Sequence, residues 1–202
     1  MRVRAVVFDV GNVLVEWSPR YLYEKLIPDP SERATFLTEV VTLEWHAQHD
    51  AGRPFSETSA ELIAKYPQYR ELILAWKSRW LETIPHLIEG MAELVADLAA
   101  ADVPLYSITN FSAQFWPPLV EREAMLFAPF RDIIVSGEEK LIKPDAAIYQ
   151  LALRRFGLAS GQGIFVDDRL DNVEAAEANG FVGHHFQNAS TLRSALEKLT
   201  LL

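Results

Sequence analysis

The chain has 202 residues, a formal net charge of −9 at pH 7 and a hydrophobic fraction of 50%. This length suits one domain, or one domain with a sizeable insertion, and the composition can fill a substantial core. The negative charge disfavours a nucleic-acid-binding surface, and the absence of cysteine excludes disulfides and thiolate metal sites. No stretch has transmembrane length and no signal-peptide pattern precedes the first strand, so we expect a soluble cytoplasmic protein without a membrane partner.

The first predicted strand covers residues 3–8 and ends at a carboxylate. It is apolar except for one arginine and rich in β-branched residues, which is typical of a strand buried on both faces of a parallel sheet. Asp9 follows, and then Gly11 and Asn12, a pair suited to a turn with positive φ. Open parallel sheets bind ligands just outside the carboxyl ends of their strands. Asp9 is therefore either a reactive group or simply the start of a turn.

The segment that follows is dominated by helical patterns. The predicted helices cover residues 19–27, 31–50, 56–66 (with Ser56 as a plausible cap) and 67–84. A block of this length is too long for an ordinary loop. The sequence therefore predicts an all-helical cap, residues 17–85, inserted into a core made of residues 1–16 and 86–202.

Strands and helices alternate after the predicted cap. The predicted strands cover residues 103–108, 132–135, 163–166 and 181–186; the predicted helices cover residues 88–102, 115–126, 144–156 and 190–198, with another that ends at Asn179. Such alternation indicates an α/β fold in which a Rossmann-like parallel sheet is connected by right-handed crossovers.

Polar residues stand at the ends of three predicted strands. They are Asp9, then Thr109 with Asn110, and then Asp167 with Asp168. The carboxyl ends of parallel strands lie on one edge of a sheet, so these groups are expected to converge. In the sequence, Lys143 lies between Asn110 and Asp167. The rigid Pro144 follows it and would fix the lysine cation near the same edge.

Such a set suits phosphoryl chemistry. Asp9 and Asp168 offer hard oxygen ligands for Mg²⁺, which prefers one or two carboxylates together with substrate phosphate and water. Thr109, Asn110 and Lys143 offer donors for phosphate oxygens. Asp9 could attack phosphorus and form an aspartyl-phosphate that water then hydrolyses. The residues therefore favour a Mg²⁺-dependent phosphomonoester hydrolase.

Four short motifs carry a resemblance to a known family. They are Asp9-Val-Gly-Asn, Thr109-Asn110, Lys143-Pro144-Asp145, and Val166-Asp167-Asp168 with Asn172. In this order the chain resembles the haloacid dehalogenase (HAD) superfamily over its whole length, and the helical insertion is similar to that superfamily's C1-type cap. Small phosphatases with an Asp-x-Gly-Asn-Val first motif, some of which act on sugar phosphates, look most alike.

The resemblance implies a role for each matching residue. Asp9 would be the nucleophile and a metal ligand, Asp168 a second metal ligand, and Gly11 would contribute its backbone carbonyl to the metal. Thr109 and Asn110 would bind phosphate.

The remaining matching residues would support the nucleophile, the metal ligands and the phosphate-binding residues. Lys143 would steady the nucleophile and the phosphate, while Asp167 and Asn172 would act from behind the metal site; Asp167 and Asp168 could also exchange roles. Ser107 and Lys140 are register alternatives to Thr109 and Lys143. The latter pair is preferred because Thr109 ends the strand and Lys143 adjoins the Pro-Asp pair.

Position 11 departs from the family pattern. Most phosphatases of the superfamily carry an aspartate there as the general acid, and this chain has Gly11. Either the substrate has a leaving group that needs little protonation, such as an anomeric sugar phosphate or an acyl phosphate, or a cap residue replaces the acid. The candidates are Glu44, His46 and His49, and the alternative for the histidines is a solvated helix face.

Other interpretations stay open. The cap tryptophans Trp45, Trp76 and Trp80 either line a sugar pocket or pack in a core, and helical spacing favours packing. The rival functions are a metal-free 2-haloacid dehalogenase and a non-catalytic binding protein on the same fold. The expected partner is a small phosphorylated metabolite, and the sequence does not determine the oligomeric state.

Overall fold

The computed structural model describes residues 2–202 and contains one sheet of five parallel strands. They are β1 (Ala5–Phe8), β2 (Leu105–Thr109), β3 (Phe130–Val135), β4 (Gly163–Asp167) and β5 (Val182–His185). Their order in the sheet is β3-β2-β1-β4-β5, so β1 lies at the centre. The predicted α/β class with a Rossmann-like parallel sheet is thereby confirmed.

Helices account for most of the remaining chain. The α-helices are α1 (Pro19–Leu26), α2 (Pro30–Glu39), α3 (Leu43–Asp50), α4 (Phe55–Lys65), α5 (Arg70–Ser78), α6 (Met91–Ala100), α7 (Trp116–Arg122), α8 (Ala124–Phe127), α9 (Ser136–Glu139), α10 (Ala146–Arg155), α11 (Leu170–Ala178) and α12 (Ala189–Lys198). Two 3₁₀ turns, Pro67–Tyr69 and Trp80–Thr83, flank α5. No helix of residues 2–202 has both the length and the apolar character needed to cross a membrane.

The central strand β1 is buried on both faces, as its apolar sequence predicts. All four of its residues are fully buried. Val6 and Phe8 belong to the larger hydrophobic cluster, which also includes residues of α6 and α12. Ala5 and Val7 belong to a second cluster with residues of α10 and α11. The sheet therefore lies between two helical layers, and only its edges can offer polar groups to a ligand.

The boundaries of several predicted helices were wrong. The helix expected over residues 31–50 is two helices, α2 and α3, because the hydroxyl of Thr42 accepts a hydrogen bond from the Trp45 N–H (3.0 Å) and starts a new helix. Ser56 is not a cap, since α4 begins at Phe55. The helix expected over 67–84 is α5 with its two flanking 3₁₀ turns, and the one expected over 115–126 is divided at Glu123.

The helical insertion joins the core through two adjacent connections. The Ile88 N–H donates to the Leu14 carbonyl (3.0 Å), and the Glu16 N–H donates to the His86 carbonyl (3.0 Å). The chain therefore enters and leaves the α1–α5 segment side by side, next to the carboxyl end of β1.

The far end of α3 is also attached to the core. The Ser136 hydroxyl donates to the Asp50 carbonyl (2.7 Å), and the Gln114 side chain accepts a hydrogen bond from the Phe55 N–H (3.0 Å). The Trp80 ring stacks on Phe115, with their centroids 4.8 Å apart. These contacts hold the helical segment over the edge of the sheet at which β1, β2 and β4 end.

Candidate active site at the carboxyl edge of the sheet

Asp9 lies just beyond the carboxyl end of the central strand. Its backbone N–H donates to the Val166 carbonyl (2.8 Å), which continues the pairing of β1 with β4. One carboxylate oxygen, Oδ1, accepts a hydrogen bond from the Val10 N–H (2.7 Å). The residue is only 8% exposed. Asp9 is therefore a buried carboxylate held by the chain on either side of it.

Lys143 brings a buried ammonium group to Asp9. Its Nζ lies 2.9 Å from Asp9 Oδ1 and 2.7 Å from Asp167 Oδ2, and the residue is 3% exposed. Lys140, the register alternative, is exposed and lies outside this cluster. The ammonium group therefore links carboxylates that follow or end the two central strands β1 and β4.

Asn110 holds the backbone of Lys143. Its Nδ2 donates to the Lys143 carbonyl (3.0 Å), and its Oδ1 accepts a hydrogen bond from the Lys143 N–H (2.8 Å). We expected this amide to present its donors to phosphate, whereas here its oxygen and at least one of its N–H groups serve Lys143. Asn110 thus fixes the lysine from the end of β2.

Two hydroxyl groups of β2 have no partner. Thr109 at the end of the strand and Ser107 two residues earlier are both fully buried, and the hydroxyl oxygen of each lacks a hydrogen bond. An unpaired buried hydroxyl is costly and uncommon. Thr109 directly precedes Asn110, so its free hydroxyl lies at the edge that carries the other polar groups.

Three carboxylates meet at this edge. Asp9, Asp167 and Asp168 each offer an oxygen within 4.8 Å of the others. Asn172 Nδ2 lies 3.1 Å from both oxygens of Asp167, which is fully buried, whereas Asp168 is half-buried. The structure therefore brings Asp9, Asp167, Asp168, Asn172 and Lys143 together.

The charges of this cluster do not balance. Burial raises the pKa of Asp9 to about 7; Lys143 opposes that effect and Asp167 adds to it. Burial also raises the pKa of Asp168, with repulsion from Asp167 as a further cause. Burial lowers the pKa of Lys143, but attraction to Asp167 and Asp9 outweighs it and raises the pKa overall. Three carboxylates thus face one ammonium, a donor set that suits a hard divalent cation.

Gly11 lies two residues beyond Asp9, in a bridge to Val15. A Cβ atom built at Gly11 would meet no heavy atom within 4 Å, and its φ lies outside the left-handed region. A side chain could therefore begin at this position without a clash at its Cβ atom.

The histidines of α3 are shielded from solvent, and both are uncharged at neutral pH. His49 is 1% exposed, its Nε2 lies 2.7 Å from the Thr58 hydroxyl, and burial lowers its pKa to about 4. His46 stacks on Trp17 (centroids 4.9 Å apart) and Trp80 (5.4 Å), and burial lowers its pKa to about 3. The expectation of a solvated helix face was wrong for both histidines.

Three tryptophans of the α3–α5 segment and the 3₁₀ turn after it pack as a core. Trp45, Trp76 and Trp80 are 6%, 0% and 4% exposed, and the Trp76 ring lies 5.6 Å from Trp45 and 5.2 Å from Trp80 between centroids. This confirms the packing interpretation.

Asp50, at the end of α3, is a buried acid that sequence reasoning missed and that the charge of Asp9 influences. It is 8% exposed, and burial raises the pKa of its carboxyl to about 8, with repulsion from Asp9 as the next cause. The clue was present: Asp50 stands four residues after His46 on one helix face, and its Oδ2 lies 3.4 Å from His46 Nε2.

A surface cavity opens beside Asp168. It has a volume of about 690 Å³, and Asn12, Glu89 and Asn188 are among the residues that line it with Asp168. The exposed side of the carboxylate cluster therefore faces solvent through this cavity.

Comparison with known proteins agrees with this arrangement. A family model described as haloacid dehalogenase-like hydrolase matches residues 3–180. A sesquiterpene phosphatase (astK) from Aspergillus oryzae is 26% identical over 196 residues, which cover 97% of this chain and 96% of that protein. A phosphoglycolate phosphatase from Yersinia pseudotuberculosis is 28% identical and covers 88% of this chain and 78% of that protein. The fold is similar to that of a solved HAD family enzyme from Bacteroides thetaiotaomicron in its magnesium complex (TM-score 0.74, 16% identity, covering 98% of this chain and 100% of that one).

Proposed function

Because the chain belongs to the haloacid dehalogenase-like hydrolases, we propose that it hydrolyses phosphomonoesters of small metabolites through an aspartyl-phosphate on Asp9, with Mg²⁺ as its cofactor. The enzyme class follows from the family, and the curated relatives compared above are phosphatases. The observation that carries the proposal is the convergence of Asp9, Asp167, Asp168 and the Lys143 ammonium at one edge of the sheet.

Asp9, Asp168 and the Gly11 carbonyl would hold the metal. The uncompensated negative charge at this edge supports a cation there, and the solved HAD family relative was crystallised with magnesium. Bound Mg²⁺ would supply positive charge to the phosphoryl oxygens and orient them. Asp167 is already paired with Lys143 and Asn172, so it supports the site from behind.

Asp9 would act as the nucleophile. Its Oδ1 is engaged by Lys143 and by the Val10 N–H, which leaves Oδ2 to attack phosphorus. The new Oδ2–P bond would form as the P–O bond to the leaving group breaks, and water would then cleave the aspartyl-phosphate to release phosphate and free Asp9. The Lys143 ammonium favours the ionised nucleophile and attracts the anionic substrate.

Thr109 would bind the transferred phosphoryl group. Its buried hydroxyl has no partner in the protein, and a phosphate oxygen would satisfy it. Asn110 would contribute chiefly by holding Lys143, through the two hydrogen bonds it makes to that residue's backbone.

Residues 17–85 would form the cap that encloses the substrate, on a core of residues 1–16 and 86–202. The adjacent entry and exit connections and the contacts of α3 with the core support this division. With glycine at position 11, the side chain that usually protonates the leaving group has to come from the cap, or the leaving group has to depart without it.

A panel of phosphate esters, assayed with Mg²⁺ or with EDTA, tests the proposal. We expect hydrolysis that requires Mg²⁺ and that Asp9→Asn abolishes. Faster turnover of a sugar 1-phosphate than of its 6-phosphate isomer would indicate a leaving group that needs little protonation. Absence of hydrolysis across the panel would contradict the proposal, and chloride release from 2-chloropropionate in EDTA would point to a dehalogenase.

A further inference from the structure

Asp50 is a buried acid that no other charged group neutralises. It is 8% exposed, and its Oδ1 is fully buried without a hydrogen-bond partner. Its Oδ2 faces the Nε2 atom of His46 at 3.4 Å, and the His46 side chain, 11% exposed, is itself packed among aromatic rings. A buried carboxyl group with an unpartnered oxygen lowers the stability of the fold. Its presence in the cap therefore suggests a functional role.

The main chain of Asp50 is fixed to the core next to the phosphate-binding motif. Its carbonyl accepts a hydrogen bond from the Ser136 hydroxyl (2.7 Å), and the same hydroxyl accepts one from the Phe111 N–H (2.9 Å). Phe111 directly follows Asn110, so a single side chain, Ser136, ties the end of α3 to the loop after β2. Asp50 is thus held at the edge of the sheet rather than on a free surface of the cap.

The electrostatic surroundings of Asp50 link it to the nucleophile. Burial raises the pKa of Asp50 to about 8; the charge of Asp9 raises it further, while the Lys143 ammonium and the Ser112 backbone N–H act in the opposite direction. His46 remains neutral because burial lowers its pKa to about 3. At neutral pH, therefore, Asp50 carries a proton while lying within the electrostatic reach of Asp9.

We propose that Asp50 is the general acid of this enzyme, donating its proton from the cap to the leaving-group oxygen in place of the side chain that Gly11 lacks. This proposal rests on the phosphatase function proposed above. Residue 11, two positions beyond Asp9, carries no side chain, and a Cβ built there would meet no heavy atom within 4 Å.

The other acids of the cap segment considered for this role do not fit it. Glu44 lies on the exposed face of α3. His46 and His49 are neutral at neutral pH, since burial lowers their pKa values to about 3 and about 4. His49 is also engaged with the Thr58 hydroxyl. His46 Nε2 instead lies 3.4 Å from Asp50 Oδ2, while Oδ1 has no partner.

The proton balance closes over the two half-reactions. As Asp9 Oδ2 bonds to phosphorus and the P–O bond breaks, the proton of Asp50 passes to the leaving oxygen, which departs as an alcohol. The Asp50 carboxylate then takes a proton from the water that attacks the aspartyl-phosphate. Phosphate and ionised Asp9 are released, and Asp50 is again protonated.

Substrates with different leaving groups test the assignment. An alkyl phosphate needs a proton for its leaving group, whereas a dinitrophenyl phosphate does not. We expect Asp50→Asn to lower kcat for the alkyl ester by about 10²–10⁴-fold and to leave turnover of the dinitrophenyl ester nearly unchanged. Glu44→Gln, on the same helix, is the matched control and is expected to affect neither substrate.

A second substitution tests whether the missing function is an acid. Gly11→Asp places a carboxyl group where a Cβ meets no neighbour, and in the Asp50→Asn background it is expected to restore turnover of the alkyl ester. Infrared difference spectra provide a readout without catalysis: the C=O stretch of a protonated carboxyl at pH 6, lost in Asp50→Asn.

Each result bears on a different claim. Equal losses with both esters, no loss with the alkyl ester, or an ionised Asp50 at pH 6 would each overturn the assignment while leaving the phosphatase function standing. Wild-type protein that hydrolyses neither ester would overturn the proposed function, and the general acid with it.

Discussion

The two halves of the site differ in how their buried ionisable groups are paired. On the core half, Lys143 is paired with Asp9 and Asp167, and Asp167 is paired with Asn172. On the half formed by residues 17–85, several buried polar atoms lack a partner. Six of the nine unpartnered buried side-chain atoms found in residues 2–202 lie there: Trp17 Nε1, His46 Nδ1, His49 Nδ1, Asp50 Oδ1, Trp76 Nε1 and Trp80 Nε1.

This difference separates preorganised electrostatics from groups that await a partner. Charged groups that are paired and fixed before substrate binds need little reorganisation during the reaction. This suits the core half to its proposed role in phosphoryl transfer. Unpaired buried atoms destabilise a fold unless something else satisfies them. A concentration of such atoms around one site is typical of functional sites, where stability is given up for activity.

The largest effect is expected when the paired half is broken. Lys143→Met removes the one ammonium between two buried carboxylates. It should abolish hydrolysis and lower the free energy of unfolding by about 3–5 kcal/mol, because Asp9 and Asp167 are left as uncompensated buried charges. Urea unfolding at pH 7 measures the stability loss.

Lys140→Met is the matched control for this prediction. Lys140 is exposed, and the ion pairs of Asp9 and Asp167 are made by Lys143 instead, so replacing Lys140 is expected to change stability by less than about 0.5 kcal/mol. A Lys143→Met protein as stable as the Lys140→Met protein would show that the buried ion pairs do not hold the site together.

A smaller effect is expected at the unpaired hydroxyl groups of β2. Thr109→Val should lower kcat/KM by roughly 10- to 150-fold, since a hydrogen bond to a charged phosphate contributes about 1.5–3 kcal/mol. Stability without substrate should not fall, because the hydroxyl has no partner in the free protein.

Ser107→Ala separates the two register alternatives. Ser107 is equally buried and equally unpartnered but lies two residues from the strand end, so its loss is expected to leave kcat/KM unchanged. The reverse pattern, with activity lost in Ser107→Ala and kept in Thr109→Val, would assign phosphate binding to the other hydroxyl.

The sheet and the core half of the site were predictable because each depends on local patterns. Residues 3–8 are apolar on both faces, and parallel strands share one edge, so Asp9, Asp167 and Asp168 had to meet. The helix ends were less predictable. The pattern over residues 31–50 is periodic throughout, and the capping hydrogen bond from Trp45 to Thr42 that divides it is one competing interaction among several.

The cap half could not be read from the sequence because its properties come from tertiary burial. His46 and His49 have the pattern of a polar helix, and only the packing of Trp17, Trp80 and Phe115 around them shows that they are buried and neutral. Asp50 acquires its raised pKa from the same burial and from the charge of Asp9, which is 41 positions away in the chain.

A gain in stability is expected when the unpaired carboxyl group of Asp50 is replaced by a neutral amide. Burial raises the pKa of Asp50 to about 8 in the folded protein, against about 3.9 in an unfolded chain. The folded state thus holds the proton more tightly, so the stability that wild-type protein has at low pH is lost as pH rises from about 4 to about 8. Asp50→Asn cannot ionise and escapes this loss.

Thermal unfolding in EDTA should therefore show Asp50→Asn gaining on wild type as pH rises. At pH 8.5 we expect a higher Tm for Asp50→Asn than for wild type, with the difference growing between about pH 4 and pH 8 and vanishing near pH 4. Glu44→Gln, which alters an exposed carboxylate of the same helix, should show no such trend. A Tm for Asp50→Asn below that of wild type at pH 8.5 would mean that the carboxylate is stabilised by its surroundings. In that case Asp50 would resemble the paired carboxylates of the core. The proposed contrast between core and cap would then fail at Asp50, the buried acid of the cap.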